Sequence, residues 1–140
     1  MMFQLCYVST SASSENEILM DLRDILGEAR DFNVQHDITG VLYFADKYFF
    51  QCLEGDEDAI KILYEKLKND KRHYELRNFQ PKTIQTAHFS KWAMKYVNRS
   101  GDVHDYFKSL GLDGFQPYEL KDEEIDHFLV KLYELNADQV

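Results

Sequence analysis

The stretch ITGVLYFADKYFFQCLEG, residues 38–55, constrains the fold more than any other part of the sequence. Its two halves, 38–45 and 48–54, are rich in β-branched and aromatic residues and contain no proline, as is typical of strands. Asp46 and Lys47 separate the halves, and a connection of two residues is a candidate hairpin turn even without glycine. The stretch therefore predicts two adjacent antiparallel strands, which need other elements packed against them to be stable.

The rest of the chain supplies those elements in a regular order. Strand patterns also occupy residues 3–9, 74–80 and 88–97, helical periodicity covers 14–33 and 56–73, and amphipathic stretches cover 102–112 and 122–135. This order predicts an α+β fold, a ferredoxin-like βαββαββ sandwich. We expect a five-stranded mixed sheet with two helices on one face and two C-terminal helices covering the other. The predicted domains are 1–98 and a helical extension, 99–140, packed on the sheet.

Charge and composition narrow the classes of function. The net charge of −9 argues against non-specific binding to nucleic acid or to an anionic membrane, since both need a basic face. No apolar run has the length of a signal peptide or a membrane span, so we expect a cytoplasmic protein in which Cys6 and Cys52 are reduced. The five histidines show no metal-ligand spacing, so we expect no metal.

Three polar side chains fall on faces that are otherwise apolar. Alternation places Gln51 beside Phe49 and Tyr7 beside Leu5, and Asn33 ends the apolar stripe of the first helix. Each has an ordinary structural explanation: a helix C-cap for Asn33, a core tyrosine for Tyr7, a backbone partner for Gln51. Together, from separate elements, they favour a polar ligand between the helices, and a flat heteroaromatic with donors and acceptors at its edge would suit them.

The segments that carry these residues resemble the BLUF family, the blue-light sensors that use flavin. The similar segments are LCYVS (5–9), ARDFN (29–33), ITGVLYF (38–44), FFQCLEG (49–55), DKRHY (70–74) and FSKWAMKY (89–96). The resemblance spans about residues 3–98, and the chain is similar to short, stand-alone BLUF proteins such as those of acinetobacters and their relatives. It implies a photoreceptor without enzymatic activity that binds FAD non-covalently, with FMN or riboflavin as the alternative flavins.

The resemblance also implies roles for individual residues. Tyr7 matches the tyrosine that donates an electron and a proton to the excited flavin. Gln51 matches the glutamine between that tyrosine and the flavin, whose hydrogen bonds rearrange in light. Asn33 matches the asparagine that bonds the polar edge of the isoalloxazine ring. Met94 and Trp92 match a pair in the last strand that is tied to signalling, and alternation places both on one face.

The remaining cofactor-binding candidates also follow from the resemblance. They are Ile25, Phe49, Lys66, Asp70, Arg72 and His73. Ile25 and Phe49 fall where family members pack apolar side chains against the ring. The segment 70–73 corresponds to a flavin-contacting segment after the second helix. Lys66 is a weaker candidate, for the ribityl-phosphate side.

Other functions remain open on the sequence alone. A light-independent flavin-binding or small-molecule-binding module would have the same fold without photochemistry. An acylphosphatase-like hydrolase would need a basic anion-binding loop after the first strand, and STSASSEN (9–16) contains no basic residue. A photoreceptor would signal through its last strand and tail helices to a partner protein, for which a transcription regulator is one candidate. The sequence leaves the oligomeric state, homo-oligomers included, undecided.

Overall fold

The computed structural model describes residues 2–140, in which one mixed sheet carries helices on both faces. The elements are β1 (Met2–Ser11), α1 (Ile18–His36), β2 (Thr39–Ala45), β3 (Tyr48–Gly55), α2 (Glu57–Lys68), β4 (His73–Asn78), β5 (Lys82–Ile84), β6 (Lys95–Val97), α3 (Gly101–Ser109) and α4 (Ile125–Glu134). The strand order is β4-β1-β3-β2-β6, and the short β5 also pairs with β1. Only the β2–β6 pair is parallel within the described residues. The predicted α+β class and mixed sheet are confirmed.

The β2–β3 hairpin forms as predicted because its connection supplies the right backbone conformation. Asp46 and Lys47 both have positive φ, 51° and 68°. Positive φ at both central residues is the signature of the type I′ turn, whose twist matches that of the flanking strands. Gly40 allows the strands to approach, because a Cβ at this position would overlap the carbonyl oxygen of Cys52.

Helices α1 and α2 lie on one face of the sheet. The side chain of Asp56 caps α2 by accepting from the backbone N–H of Ala59 at 3.0 Å, and Glu57 and Asp58 place negative charge at the positive end of the helix dipole. Helix α1 continues past the predicted end at Asn33 and stops at His36.

Alternation along the strands divides the buried side chains between two cores. The core beneath α1 and α2 contains Leu5, Leu22, Leu26, Leu42, Phe49, Leu53, Ile60 and Met94. The core on the other face contains Val8, Val41, Tyr43, Phe50, Val103, Phe107, Phe128, Leu129 and Leu132. The second set joins sheet residues to α3 and α4, so the tail helices cover the face that α1 and α2 leave free. The division of the chain at residue 98 stays a prediction.

The predicted strand at 88–97 is wrong over most of its length, because only β6 forms within it. The carboxylate of buried Glu54 accepts from the backbone N–H groups of His88 at 2.8 Å and Phe89 at 3.0 Å. The backbone N–H of Trp92 then donates to the Phe89 carbonyl at 3.0 Å, which closes a turn. These bonds satisfy backbone groups that a strand would have paired with its neighbours.

The turn also overturns the prediction that Trp92 and Met94 share a face. Met94 belongs to the core beneath α1 and α2, whereas Trp92 packs against the core formed with α3 and α4. The strict alternation on which that prediction depended applies only to extended backbone.

In the part of the chain that the structure describes, no helix combines the length and the apolar character needed to cross a membrane. Residues 2–140 also contain no group of three His, Cys, Asp or Glu side chains placed to hold a metal ion. Cys6 and Cys52 are free and buried, directly opposite each other on β1 and β3.

Candidate functional site

A cavity of about 340 Å³ lies between the sheet and helices α1 and α2. Sites for small molecules and cofactors are typically about 300–1,000 Å³. The sheet contributes Tyr7, Leu42, Phe49 and Gln51, α1 contributes Ile25, Glu28, Ala29 and Phe32, α2 contributes Leu63, Lys66 and Leu67, and the residues after α2 contribute Asp70, Arg72 and His73. Eight of the residues singled out in the sequence therefore line one cavity: Tyr7, Ile25, Phe49, Gln51, Lys66, Asp70, Arg72 and His73.

Tyr7 and Gln51 form a buried hydrogen-bonded pair on the sheet side of the cavity. They are direct partners in the β1–β3 register, and the Tyr7 hydroxyl donates to Gln51 Oε1. Gln51 Nε2 donates to Met94 Sδ at 3.8 Å. Because an amide nitrogen carries two hydrogens, one remains for a ligand. Burial raises the pKa of Tyr7 far above its usual value, so its hydroxyl stays protonated and able to donate.

His73 is fixed at the cavity wall in one neutral tautomer. Its Nε2 lies 2.7 Å from the Leu67 carbonyl oxygen and its Nδ1 lies 2.8 Å from Ser9 Oγ. A carbonyl can only accept, so Nε2 carries the hydrogen and Nδ1 accepts from the hydroxyl. Burial lowers the pKa of His73 and favours this neutral form. The ring lies edge-on to Tyr7, with 6.2 Å between ring centroids.

Charged side chains border the cavity where α2 ends. Arg72 donates to Asp70 at 2.6 Å and pairs with Glu28 at 2.7 Å. The hydrogen bonds from Arg72 hold the pKa of Asp70 below its usual range. Lys66 has no carboxylate within ion-pair distance among the described residues, and its ammonium lies 4.7 Å from the centre of the Phe32 ring. The positive charge that is free to meet an anionic ligand is therefore that of Lys66 rather than that of Arg72.

Asn33 has a polar atom that the protein leaves unsatisfied. The residue is fully buried, and its Nδ2 donates to the Ala93 carbonyl at 2.6 Å. Its Oδ1 has no hydrogen-bond partner among the described residues. A buried acceptor left in this way costs about 1–3 kcal/mol, which a ligand that offers an N–H donor would recover. The helix C-cap explanation is excluded because α1 continues to His36.

Asn33 and Met94 adjoin the cavity without lining it. Asn33 follows the cavity-lining Ala29 by one helical turn, and Met94 contacts the site through Gln51. The structure does not bring Trp92 to the site. Its ring lies 6.1 Å from that of Tyr133 on α4, so it points away from the cavity.

Two polar neighbours of the site, Glu28 and Tyr64, are not among the residues that the sequence indicates. Glu28 lines the cavity, three residues after Ile25 and four before Phe32, and this helical spacing could have identified it. Tyr64 on α2 lies 5.5 Å from Tyr7, centroid to centroid. It follows Leu63 directly and carried no separate signal in the sequence.

A family model described as BLUF, sensors of blue-light using FAD, matches residues 2–95. Among solved structures, the photo-activated state of BlsA superposes with a TM-score of 0.95 at 39% identity and covers 100% of both chains. The ground state of BlsA gives a TM-score of 0.95 at 40% identity, covering 99% of this chain and 92% of that one. The dark state of BlrB, a BLUF protein, gives a TM-score of 0.77 at 24% identity over 94% and 95% of the two chains, a likeness of fold alone.

Curated relatives match over a smaller share of their own length. The blue light- and temperature-regulated antirepressor BluF of Escherichia coli (strain K12) is 36% identical over 62 residues, which is 44% of this chain and 15% of that protein. Photoactivated adenylate cyclase subunit beta of Euglena longa is 33% identical over 91 residues, which is 64% of this chain and 10% of that protein. The chain thus spans only a small part of the length of these relatives.

Proposed function

Because this chain belongs to the BLUF family of sensors of blue light using FAD, we propose that it is a photoreceptor without enzymatic activity in which Tyr7 and Gln51 carry the photochemistry. The observation that carries the proposal is their buried hydrogen bond at a cavity beside an unsatisfied amide oxygen. We assign flavin binding to 1–98 and the signalling extension to 99–140.

The residues around the cavity fit a flavin. Asn33 Oδ1 would accept from an N–H at the polar edge of the ring, and Ile25 and Phe49 would lie against its faces. Lys66 would meet the phosphates, which FAD and FMN carry and riboflavin lacks. The segment 70–73 would border the cavity at the same end as Lys66. Within it, Arg72 already forms ion pairs with carboxylates of the protein.

When bound, FAD would supply a chromophore that absorbs blue light and that can be reduced in its excited state. In our proposal Tyr7 would donate the electron to the flavin and pass its hydroxyl proton to Gln51 Oε1, while a hydrogen of Gln51 Nε2 would pass to the flavin, so that Gln51 keeps its charge. The Gln51 amide then rotates or changes tautomer, which exchanges its donor and acceptor atoms. Rotation of the amide would move Nε2 away from Met94 Sδ, and a change of tautomer would remove one of its hydrogens, so in either case Met94 would be the first residue of the signalling segment to be affected.

A pair of matched variants tests the donor assignment. Tyr7→Phe should bind FAD and lose the normal light-induced absorption change, because the hydroxyl that donates to Gln51 is gone. Tyr64→Phe removes a hydroxyl from a ring whose centroid lies only 5.5 Å from that of Tyr7, and it should keep the change. Difference spectra under blue light distinguish the two, and normal photocycling in Tyr7→Phe would remove Tyr7 as the donor.

We further propose a protein partner of the transcription-regulator class for a cytoplasmic receptor. Two observations support this choice: one relative is named an antirepressor, and the net charge of −9 disfavours direct contact with nucleic acid. Gel-shift assays with mixed DNA or RNA fragments should show no binding in darkness or in light. Retention of the nucleic acid by the purified chain alone would contradict this assignment.

A further inference from the structure

The segment that leads into β6 is held from the cavity side by two residues of α1 and one of β3. Asn33 Nδ2 donates to the Ala93 carbonyl at 2.6 Å. Arg30 donates to the Met94 carbonyl through Nε at 3.2 Å and Nη2 at 3.1 Å. Gln51 contacts the Met94 sulfur. Any rearrangement at Asn33 or Gln51 therefore acts on two consecutive residues of this segment.

The next residue, Lys95, reaches in the opposite direction and holds the end of α4. The Lys95 side chain packs against α4 and Trp92, on the face of the sheet opposite the cavity. Its Nζ donates to the carbonyl oxygens of Tyr133 at 2.9 Å and Leu135 at 2.5 Å. These carbonyls lie at the C-terminal end of the helix, where a cation is favoured. The ring of Trp92 lies 4.5 Å from the same ammonium.

The tail beyond α4 is tied to the same strand. The backbone N–H of Asp138 donates to the Tyr96 carbonyl at 2.8 Å. The Asp138 carboxylate accepts from the backbone N–H of Asn98 at 2.9 Å. Residues 133–138 thus depend on β6 for their position.

Burial of the Lys95 ammonium at this position costs desolvation free energy. Lys95 is 1% exposed, and no carboxylate lies within ion-pair distance of it among the described residues. Burial accordingly lowers its pKa, with Asp138 acting in the opposite direction. An apolar side chain of the same length would pack against α4 without this desolvation cost. The hydrogen bonds of the ammonium therefore depend on the positions of its two acceptor oxygens, and they break when those oxygens shift.

We propose that Lys95 is the positioning residue that couples the cavity to the end of α4, and that light releases residues 133–138 by displacing its ammonium from their carbonyls. The inference rests on the proposed function, because it needs the light-driven change at Gln51 as its trigger. Beyond the proposed function, the inference names the hydrogen bonds of Lys95 that this change would break. It also names residues 133–138 as the segment that would become available to a partner.

Hydrogen exchange of the full-length, flavin-bound protein tests the coupling, in darkness and under continuous blue light. In the wild type, amides of residues 133–138 should exchange at least about ten times faster in light, because two hydrogen bonds to the ammonium are lost and one alone accounts for about that factor. Lys95→Met should exchange at that fast rate in both states while keeping the normal absorption shift. Lys131→Met, which removes an exposed lysine of the same helix, should behave as the wild type.

The dark–light difference separates coupling from simple structural support. If Lys95 only stabilised the tail, Lys95→Met would speed exchange in both states and preserve the difference between them, which would overturn the proposal. Equal exchange in the wild type before and after light, with the absorption shift present, would overturn it as well. If Lys95→Met does not retain flavin, Lys95→Leu, which also lacks donor hydrogens, replaces it with the same expected loss of the difference. An absent absorption shift in the wild type would instead refute the proposed function.

Discussion

Removing both members of the Tyr7–Gln51 hydrogen bond should destabilise the protein less than the two single removals added together. Tyr7→Phe leaves Gln51 Oε1 without its donor, and Gln51→Leu leaves the Tyr7 hydroxyl without its acceptor. Both residues are only 3% exposed, so water has little access to replace the missing partner. The double variant removes both polar groups at once.

The structure sets the expected magnitudes. A buried polar group that loses its partner costs about 1–3 kcal/mol, whereas replacing both partners by apolar groups of similar shape is nearly neutral. Each single variant should therefore lower the free energy of unfolding by about 2 kcal/mol, and the double variant by about 1 kcal/mol. The resulting coupling energy is about 3 kcal/mol, at the upper end of the range measured for residues in contact.

Urea unfolding in darkness at a fixed, saturating FAD concentration measures these values. The flavin dissociation constant of each variant is needed as well, because bound ligand adds to the apparent stability. A second cycle that combines Tyr64→Phe with Gln51→Leu is the control, and it should be additive because Tyr64 makes no hydrogen bond to Gln51. Additivity of the first cycle to within about 0.5 kcal/mol would refute the reasoning.

Three further predictions follow from the site and its surroundings. Lys66→Met should weaken FAD and FMN binding about threefold at low salt and leave riboflavin binding unchanged, as measured by fluorescence titration, because only the phosphates meet this exposed charge. Burial lowers the folded-state pKa of His73, so the unfolded chain binds a proton first and stability falls as the pH drops below about 6.5. When urea unfolding is measured at a series of pH values, His73→Gln should make the free energy of unfolding depend less on pH below about 6.5. An unchanged pH dependence would contradict this role of His73. Glu54→Gln should lower the free energy of unfolding by about 3 kcal/mol, visible as a lower Tm, because a buried acceptor for four donor groups is replaced by an amide that must also donate.

The parts of the fold that the sequence predicts are those determined by neighbouring residues. The hairpin at 38–55 and the start of α2 at Asp56 follow from a turn, a cap and alternation, all of which act over a few residues. Tyr7 and Gln51 were found for the same reason, because period 2 places each on a definite face. The resemblance to a family then supplied their roles, which no spacing could have given.

The parts that the sequence did not predict depend on contacts between distant residues. The segment 88–94 alternates like a strand. However, the carboxylate of Glu54, which is distant in the chain, accepts hydrogen bonds from backbone N–H groups of this segment, and the segment forms a turn. Lys95 looks like an ordinary exposed lysine in that alternation, and only the packing of α4 over the sheet buries it. The three-residue β5 is too short for a periodic signal.

The role of Gln51 in the light response is tested by the absorption spectra of the purified, flavin-loaded wild type and Gln51→Leu, each recorded before and after blue light. We expect a flavin band in both proteins. We also expect a small, reversible redshift with slow dark recovery in the wild type, and no shift in Gln51→Leu because the amide that rearranges is absent. A normal shift in Gln51→Leu would contradict the role of Gln51, and a wild type that binds flavin without any light-induced change would contradict the account as a whole.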